Sequence, residues 1–195
     1  MKSDIQRIVD RYGQLEQRVC QQMTRFCRPF CSVCRQVCCQ SHFCLETRES
    51  TFLGQVVRCF PPQSVFDPSR GWLSATGCTL VAGRPPVCYE FLCRSISGAV
   101  SATPDHHHAL LALSMVMTYV GRRAVGGRHL VEVTHPPDLN RINPDRLGAR
   151  LHDAKDAALA SAAVLDGRPS DAGMRALCRI VSPPRTDRQK RRRSM

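Results

Sequence analysis

The 195-residue chain has no apolar run of about 18 residues, the length a membrane-spanning helix needs. Its longest candidate, ALLALSMVMTYVG from Ala109, suits a buried helix instead. Near the start, Asp4, Arg7, Asp10 and Arg11 interrupt MKSDIQRIVDRYG where a signal peptide would be apolar, so the expectation is a cytoplasmic chain without a secretion signal. Aromatics are scarce at 6%, with Trp72 the one tryptophan. Lysine is nearly absent: of 28 basic residues only Lys2, Lys155 and Lys190 are lysines, which leaves 25 arginines. Several chemistries lack their motifs. GRRAVGG, residues 121–127, has neither the spacing nor the Lys-Ser/Thr of a phosphate-binding loop. There is no nucleophile elbow and no helix-turn-helix or ribonucleoprotein signature. No reaction or substrate is legible, so whether the chain is an enzyme stays open.

What is present is a core and cysteine. At 43% hydrophobic, the chain can bury a core without needing cysteines to fold. The net charge is +12, of which the tail RTDRQKRRRSM supplies 6 − 1 = +5. Residues 185–195 show no apolar periodicity and read as a disordered basic tail. Such a tail offers a contact to nucleic acid or an acidic protein partner, beside the plain reading of a solvated terminus.

The fold class expected is mainly α: a small helical domain with an irregular, metal-stapled cysteine-rich segment. Residues 1–100 read as an N-terminal helix plus a cysteine-cluster region, 101–184 as a helical region packing on it. Ile5, Val9, Tyr12, Val19 and Met23 recur at helical spacing over 3–26, with Glu16 as the polar exception on that face. Pro29 is expected to open a second short helix to about Gln40. Residues 45–75 read as irregular. Thr103 caps a helix that has Pro104 at its first position and runs to about Arg123. HLVEV, 129–133, reads as a short strand, and 144–165 and 171–180 as helices.

Six of the twelve cysteines fall in FCRPFCSVCRQVCCQSHFC, residues 26–44. In a cytoplasmic chain disulfides are disfavoured, which raises metal binding and redox chemistry in their place. On a helical wheel Cys20, Cys27, Cys31, Cys34 and Cys38 fall on one stripe about 60° wide. A stripe of small core residues is the bland explanation, and the better one for isolated Cys20 and Cys178. For Cys31 to Cys44, valine or alanine would fill a core without the risk of oxidation. Cys31-x2-Cys34 has the spacing with which two sulfurs grip one centre. Cys38 and Cys39 point about 100° apart on a helix and suit two metals, or one metal and one packing contact. His42 reads as a surface histidine. His106, His107 and His108 diverge on a helix and cannot share one ion. His129, His135 and His152 lack partner spacing.

A second cysteine segment, GCTLVAGRPPVCYEFLC, adds Cys78, Cys88 and Cys93. The two segments together resemble the YkgJ-type cysteine-cluster proteins, a family described as chelating zinc or iron. The likeness covers roughly residues 27–97. Cys31, Cys34, Cys38 and Cys39 match its short series ending in a CC pair. CTLVAGRPPVC matches its spaced cysteines, with Arg84 and Pro85 in place, and Cys93 follows as another cysteine often does. The chain departs from the pattern in a three-residue step before the CC pair, where two is usual. It also lacks a cysteine ahead of Leu73, a gap for which Cys44 and Cys59 are the substitutes. The resemblance implies a metal centre, an iron–sulfur cluster or Zn2+, without a defined reaction. The ligand set expected is Cys31, Cys34, Cys38, Cys39, Cys44, Cys78, Cys88 and Cys93, with Cys27 and Cys59 as further candidates. Two alternatives stand beside it. One is a zinc-stabilised adaptor that binds a protein or nucleic acid through its basic tail. The other is a cysteine-based redox enzyme working through Cys31 and Cys34.

Overall fold

The structure, a computed structural model, describes residues 3–31, 33, 38–75, 77–100 and 103–181. Cys34 and the tail 185–195, both named above, lie outside these. The described chain is mainly helical. Helix α1 spans Asp4–Cys31, α2 Ser41–Glu49 and α3 Thr51–Cys59. A two-stranded antiparallel ribbon, β1 Leu73–Ser74 and β2 Gly77–Cys78, pairs Leu73 with Cys78. Then come α4 Val87–Glu90, α5 Arg94–Val100 and α6 Pro104–Gly121. Two 3-10 turns, Leu130–Glu132 and Pro136–Arg141, lead into α7 Pro144–Leu165 and α8 Asp171–Val181.

Helix α6 sits at the centre. Ala109, Leu110, Ala112, Leu113, Val116, Met117 and Val120 are all buried, and a helix apolar on most of its circumference is driven inside. Thr103 starts it as the sequence predicts: its hydroxyl accepts from the His106 N–H at 3.1 Å. Helix α7 presents Ala154, Ala157 and Ala158 among its buried residues, small side chains that let backbones approach closely. Helix α1 closes the core with Ile8, Val9, Tyr12, Leu15, Val19 and Met23. Its Tyr12 meets Phe52 of α3 edge to face, centroids 5.1 Å apart.

Four sequence expectations are corrected. Helix α1 does not stop at residue 26 but runs through Pro29 to Cys31. Proline's fixed φ is helical, and so near the C-terminus only one turn loses its regular hydrogen bond. No new helix therefore opens at Pro29; Cys38 and Cys39 lie in non-helical chain before α2. Cys31 and Cys38 accordingly do not share a helix face. The stretch 45–59 is helical, not irregular: Ser50 accepts from the Leu53 N–H at 3.2 Å and caps α3, which buries Phe52, Leu53 and Val56. HLVEV contains a 3-10 turn instead of a strand. Thr51 donates its N–H to Val133 O at 2.6 Å and Ser50 its hydroxyl to Leu130 O at 3.2 Å, which ties the turn to α3.

Beneath the ribbon lies a second, small apolar cluster of Cys44, Trp72 and Leu80, with Phe66, Leu73 and Cys78 packed on it. Gly71, at φ +68°, brings the backbone so close to Cys44 that a Cβ there would stand 2.5 Å from Sγ. The irregular middle of the chain is thus seated on cysteine side chains.

Candidate metal centre

The site begins with a carboxylate in the wrong place. Glu16 lies on the apolar face of α1 and is fully buried. Its Oε2 accepts the Gly83 N–H at 2.6 Å, and its Oε1 accepts the Arg84 N–H at 2.8 Å and the Tyr89 hydroxyl at 2.8 Å. Burial raises its pKa above the usual carboxylate range, while those three donors and the Arg84 charge pull it back down. A buried charge survives only when it is fully hydrogen-bonded. Here the bonds clamp GRPPVCY, the heart of the second cysteine segment, onto the helix that ends at Cys31.

The clamp fixes Arg84. Its guanidinium donates to the Leu80 carbonyl and, at 3.5 Å, to the Tyr89 hydroxyl. Burial alone would lower its pKa; the Tyr89, Cys20 and Cys78 groups outweigh burial and hold it above its ordinary value. Pro85 and Pro86, both buried, stiffen the approach to Cys88. A cavity of about 220 Å³ opens beside Arg84, with Cys20 and Cys78 on its wall.

The thiols fall into neighbourhoods. Cys88 lies in the field of Cys78, Cys39 and Cys44; Cys39 in that of Cys78, Cys38 and Cys31; Cys44 in that of Cys78. Arg84 faces both Cys39 and Cys88. Cys27 lies in the field of Cys31, Cys93 and Cys20. Burial, followed by neighbouring thiols, pushes Cys88 up to about 12 and Cys27 up to about 11. Cys39 and Cys44 are raised as well, Cys44 against an opposing hydrogen bond from the Trp72 N–H. These four thiols are the reverse of activated nucleophiles, whose pKa is lowered. Among the described residues, no three Cys, His, Asp or Glu side chains are gathered tightly enough to hold an ion as they stand.

Of the expected ligands, Cys39, Cys78 and Cys88 share the field of Arg84, Cys44 lies in that of Cys78, Cys38 acts on Cys39 and Cys93 on Cys27, and Cys31 acts on both Cys39 and Cys27. Cys59 stands apart: its Sγ accepts from Gln6 Nε2 at 3.1 Å, near the far end of α1. The 14 residues from Gln6 to Cys20 put about 21 Å of helix between that contact and the other thiols. His42 is exposed, its ring against Phe43. His108 Nε2 lies 3.8 Å from Cys178 Sγ, away from the cluster. His129 is a packing and capping residue: its Nδ1 accepts the Val131 N–H at 3.2 Å.

Glu16, Tyr89 and Cys20 were not singled out as site residues in the sequence. The signal for Glu16 was there, a charge in a row of apolar positions; its partners 67 to 73 residues away were not. No family model matches the chain, and no curated protein or solved structure matches it significantly. Among the described residues, no helix is long and apolar enough to cross a membrane.

Proposed function

We propose that this is a cysteine-cluster metal-binding protein, which holds an iron–sulfur cluster or zinc between its two cysteine segments. The observation that carries the reading is the Glu16 clamp. It spends a buried carboxylate on fastening the Cys78–Cys88 segment to α1, beside a guanidinium set among four cysteines. A multi-thiolate centre is strongly negative, and a half-buried arginine is the charge it needs nearby. Soft thiolates without a histidine partner suit iron–sulfur clusters and zinc equally. The cysteines would bind the ion as thiolates, with loss of their protons, so part of the folding free energy would come from binding. The likeness to the YkgJ-type pattern in Cys31, Cys38–Cys39 and Cys78 to Cys93 points to the same chemistry.

Anaerobic purification followed by iron, zinc and sulfide analysis and a visible spectrum tests this. A brown protein containing iron and acid-labile sulfide identifies a cluster; a colourless one with stoichiometric zinc identifies a zinc centre. In either case Cys78→Ser combined with Cys88→Ser removes the metal. Retention of full metal content by that variant refutes the assignment of the site.

A further inference from the structure

Four arginines meet where α6 ends and α7 begins. We infer that Arg122, Arg123, Arg146 and Arg150 form a docking surface for the phosphate backbone of duplex DNA. The inference does not depend on the metal centre.

Hydrogen bonds and helical spacing place the four together. Arg150, on α7, donates through Nη1 to the Arg122 carbonyl and, at 3.5 Å, to the Val120 carbonyl. Carbonyls at the C-terminal end of a helix lack partners within it and favour a cation, so they fix this guanidinium. Arg123 follows Arg122 in the chain. Arg146 stands one turn before Arg150, about 6 Å along the axis and about 40° round it. Arg122 lies over the Tyr119 ring, 4.6 Å from its centroid. Arg123 and Arg146 are exposed, and Arg122 and Arg150 are half-buried.

This charge is not answered within the fold. Among the described residues, none of the four arginines is ion-paired. The carboxylates around them are engaged elsewhere. Glu90 accepts from the Thr118 hydroxyl. Asp153 accepts from the Tyr119 hydroxyl at 2.8 Å and pairs with Arg179 at 3.5 Å. Asp138 holds Arg128 at 2.6 Å and Arg141 at 3.0 Å. Asp145 lies about 100° round α7 from Arg146, at the positive end of the helix. Burial first, and then the charges of Arg146, Arg122 and Arg123, lowers the pKa of Arg150. A row of anions brought to this corner relieves that repulsion. Arg123 carries a conformational sign as well. With φ at +50°, it alone among the described non-glycine residues has left-handed backbone. Glycine adopts that conformation freely, yet the position holds an arginine.

The chemistry favours phosphate. A guanidinium grips phosphate oxygens with two parallel hydrogen bonds, and heads one turn apart reach different phosphates of a strand. The Tyr119 ring is covered by Arg122, so it offers no platform on which unpaired bases could stack. That favours a duplex over a single strand, and backbone contact over base reading. Outside the basic tail the chain still carries 12 − 5 = +7, which draws a polyanion toward it.

The test is fluorescence anisotropy of two labelled DNA duplexes of about 20 base pairs and unrelated sequence, titrated with the full chain at a series of salt concentrations. Equal affinity for both sequences is expected. Arg123→Gly combined with Arg146→Gln is expected to weaken binding at least about tenfold near 0.1 M salt. The slope of log K against log salt becomes shallower by about 2, since each phosphate contact supplies about 0.9. Both positions are exposed and glycine suits the Arg123 backbone, so helicity and Tm are expected to hold. Arg146→Glu alone is a second variant, expected to lose affinity in the same direction. Replacing Arg191, Arg192 and Arg193 by Gln in the full chain measures the tail, and the share of the slope due to the corner persists there. No binding by the wild-type chain, or unchanged affinity and slope in the corner variants, overturns the surface. Polyglutamate that displaces the labelled duplex as well as unlabelled duplex does also overturns it, since the corner then takes an acidic protein.

Discussion

The hydroxyl of Tyr89 donates to Glu16 Oε1 across 2.8 Å, joining residues 73 positions apart in a fully buried contact. Tyr89 follows Cys88 directly, so the bond sets the position of that thiol relative to α1. Glu16 has two oxygens and three donors to serve, and a glutamine keeps only one of those oxygens. Glu16→Gln is expected to cost about 2 kcal/mol, because a buried donor loses its acceptor. In a chain of this size that is a fall in Tm of about 4–8 °C. Thermal unfolding followed by circular dichroism measures it. An unchanged Tm would mean that the clamp is not a stabilising element.

Arg84 is expected to matter for metal affinity beyond its effect on the fold. Arg84→Gln removes the cation that faces Cys39 and Cys88 and weakens metal binding by about tenfold, roughly 1.4 kcal/mol. Arg84→Lys keeps the charge and recovers part of that loss. Competition against a chelator of known affinity reads both variants.

His129 supplies the pH dependence. Burial holds its pKa below the ordinary histidine value, against the opposing effects of the Thr118 carbonyl, Glu132 and Glu90. The unfolded chain therefore takes up a proton at about pH 6.5 while the folded chain still refuses it. The stability associated with neutral His129 is present above that pH and is lost as pH falls toward the lowered folded value. Urea unfolding at a series of pH values is expected to show stability falling below about pH 6.5. His129→Gln is expected to flatten that slope; an identical slope would place the effect elsewhere.

Gly121 closes α6 against the same ring. A Cβ there would stand 2.1 Å from the His129 Cε1, a contact no side chain makes. Gly121→Ala is expected to cost about 1–3 kcal/mol by forcing the ring and its 3-10 turn aside. Chemical denaturation checks this, and the loss should shrink in the His129→Gln background, where the obstructing ring is gone.

The helices that carry the core were legible because their signals agree. Thr103 and Pro104 mark the start of α6, and Leu147, Leu151, Ala154, Ala158 and Val164 mark the buried face of α7. Helix α3 carries its signals in Ser50 and the Phe52–Leu53–Val56 spacing, but the prolines at 61, 62 and 68 colour the whole stretch as loop. Pro29 looks like a boundary because proline disfavours a helix interior, but a position near the C-terminus costs too little to end one. HLVEV has strand-forming residues, yet contacts with Ser50 and Thr51 hold it in a tight turn; local propensity does not encode such partners. The composite nature of the cysteine site was visible in the two segments. The clamp that joins them was not, since spacing in the chain does not say which distant N–H groups meet a carboxylate.

The most direct measurement is the metal content of the full chain purified without oxygen and without added metal. The account predicts at least one equivalent of zinc, or iron with matching sulfide, lost together with the thiolate charge-transfer absorption when Cys78 and Cys88 are replaced. A metal-free protein that folds normally, and neither takes up zinc nor accepts a reconstituted cluster, would contradict it.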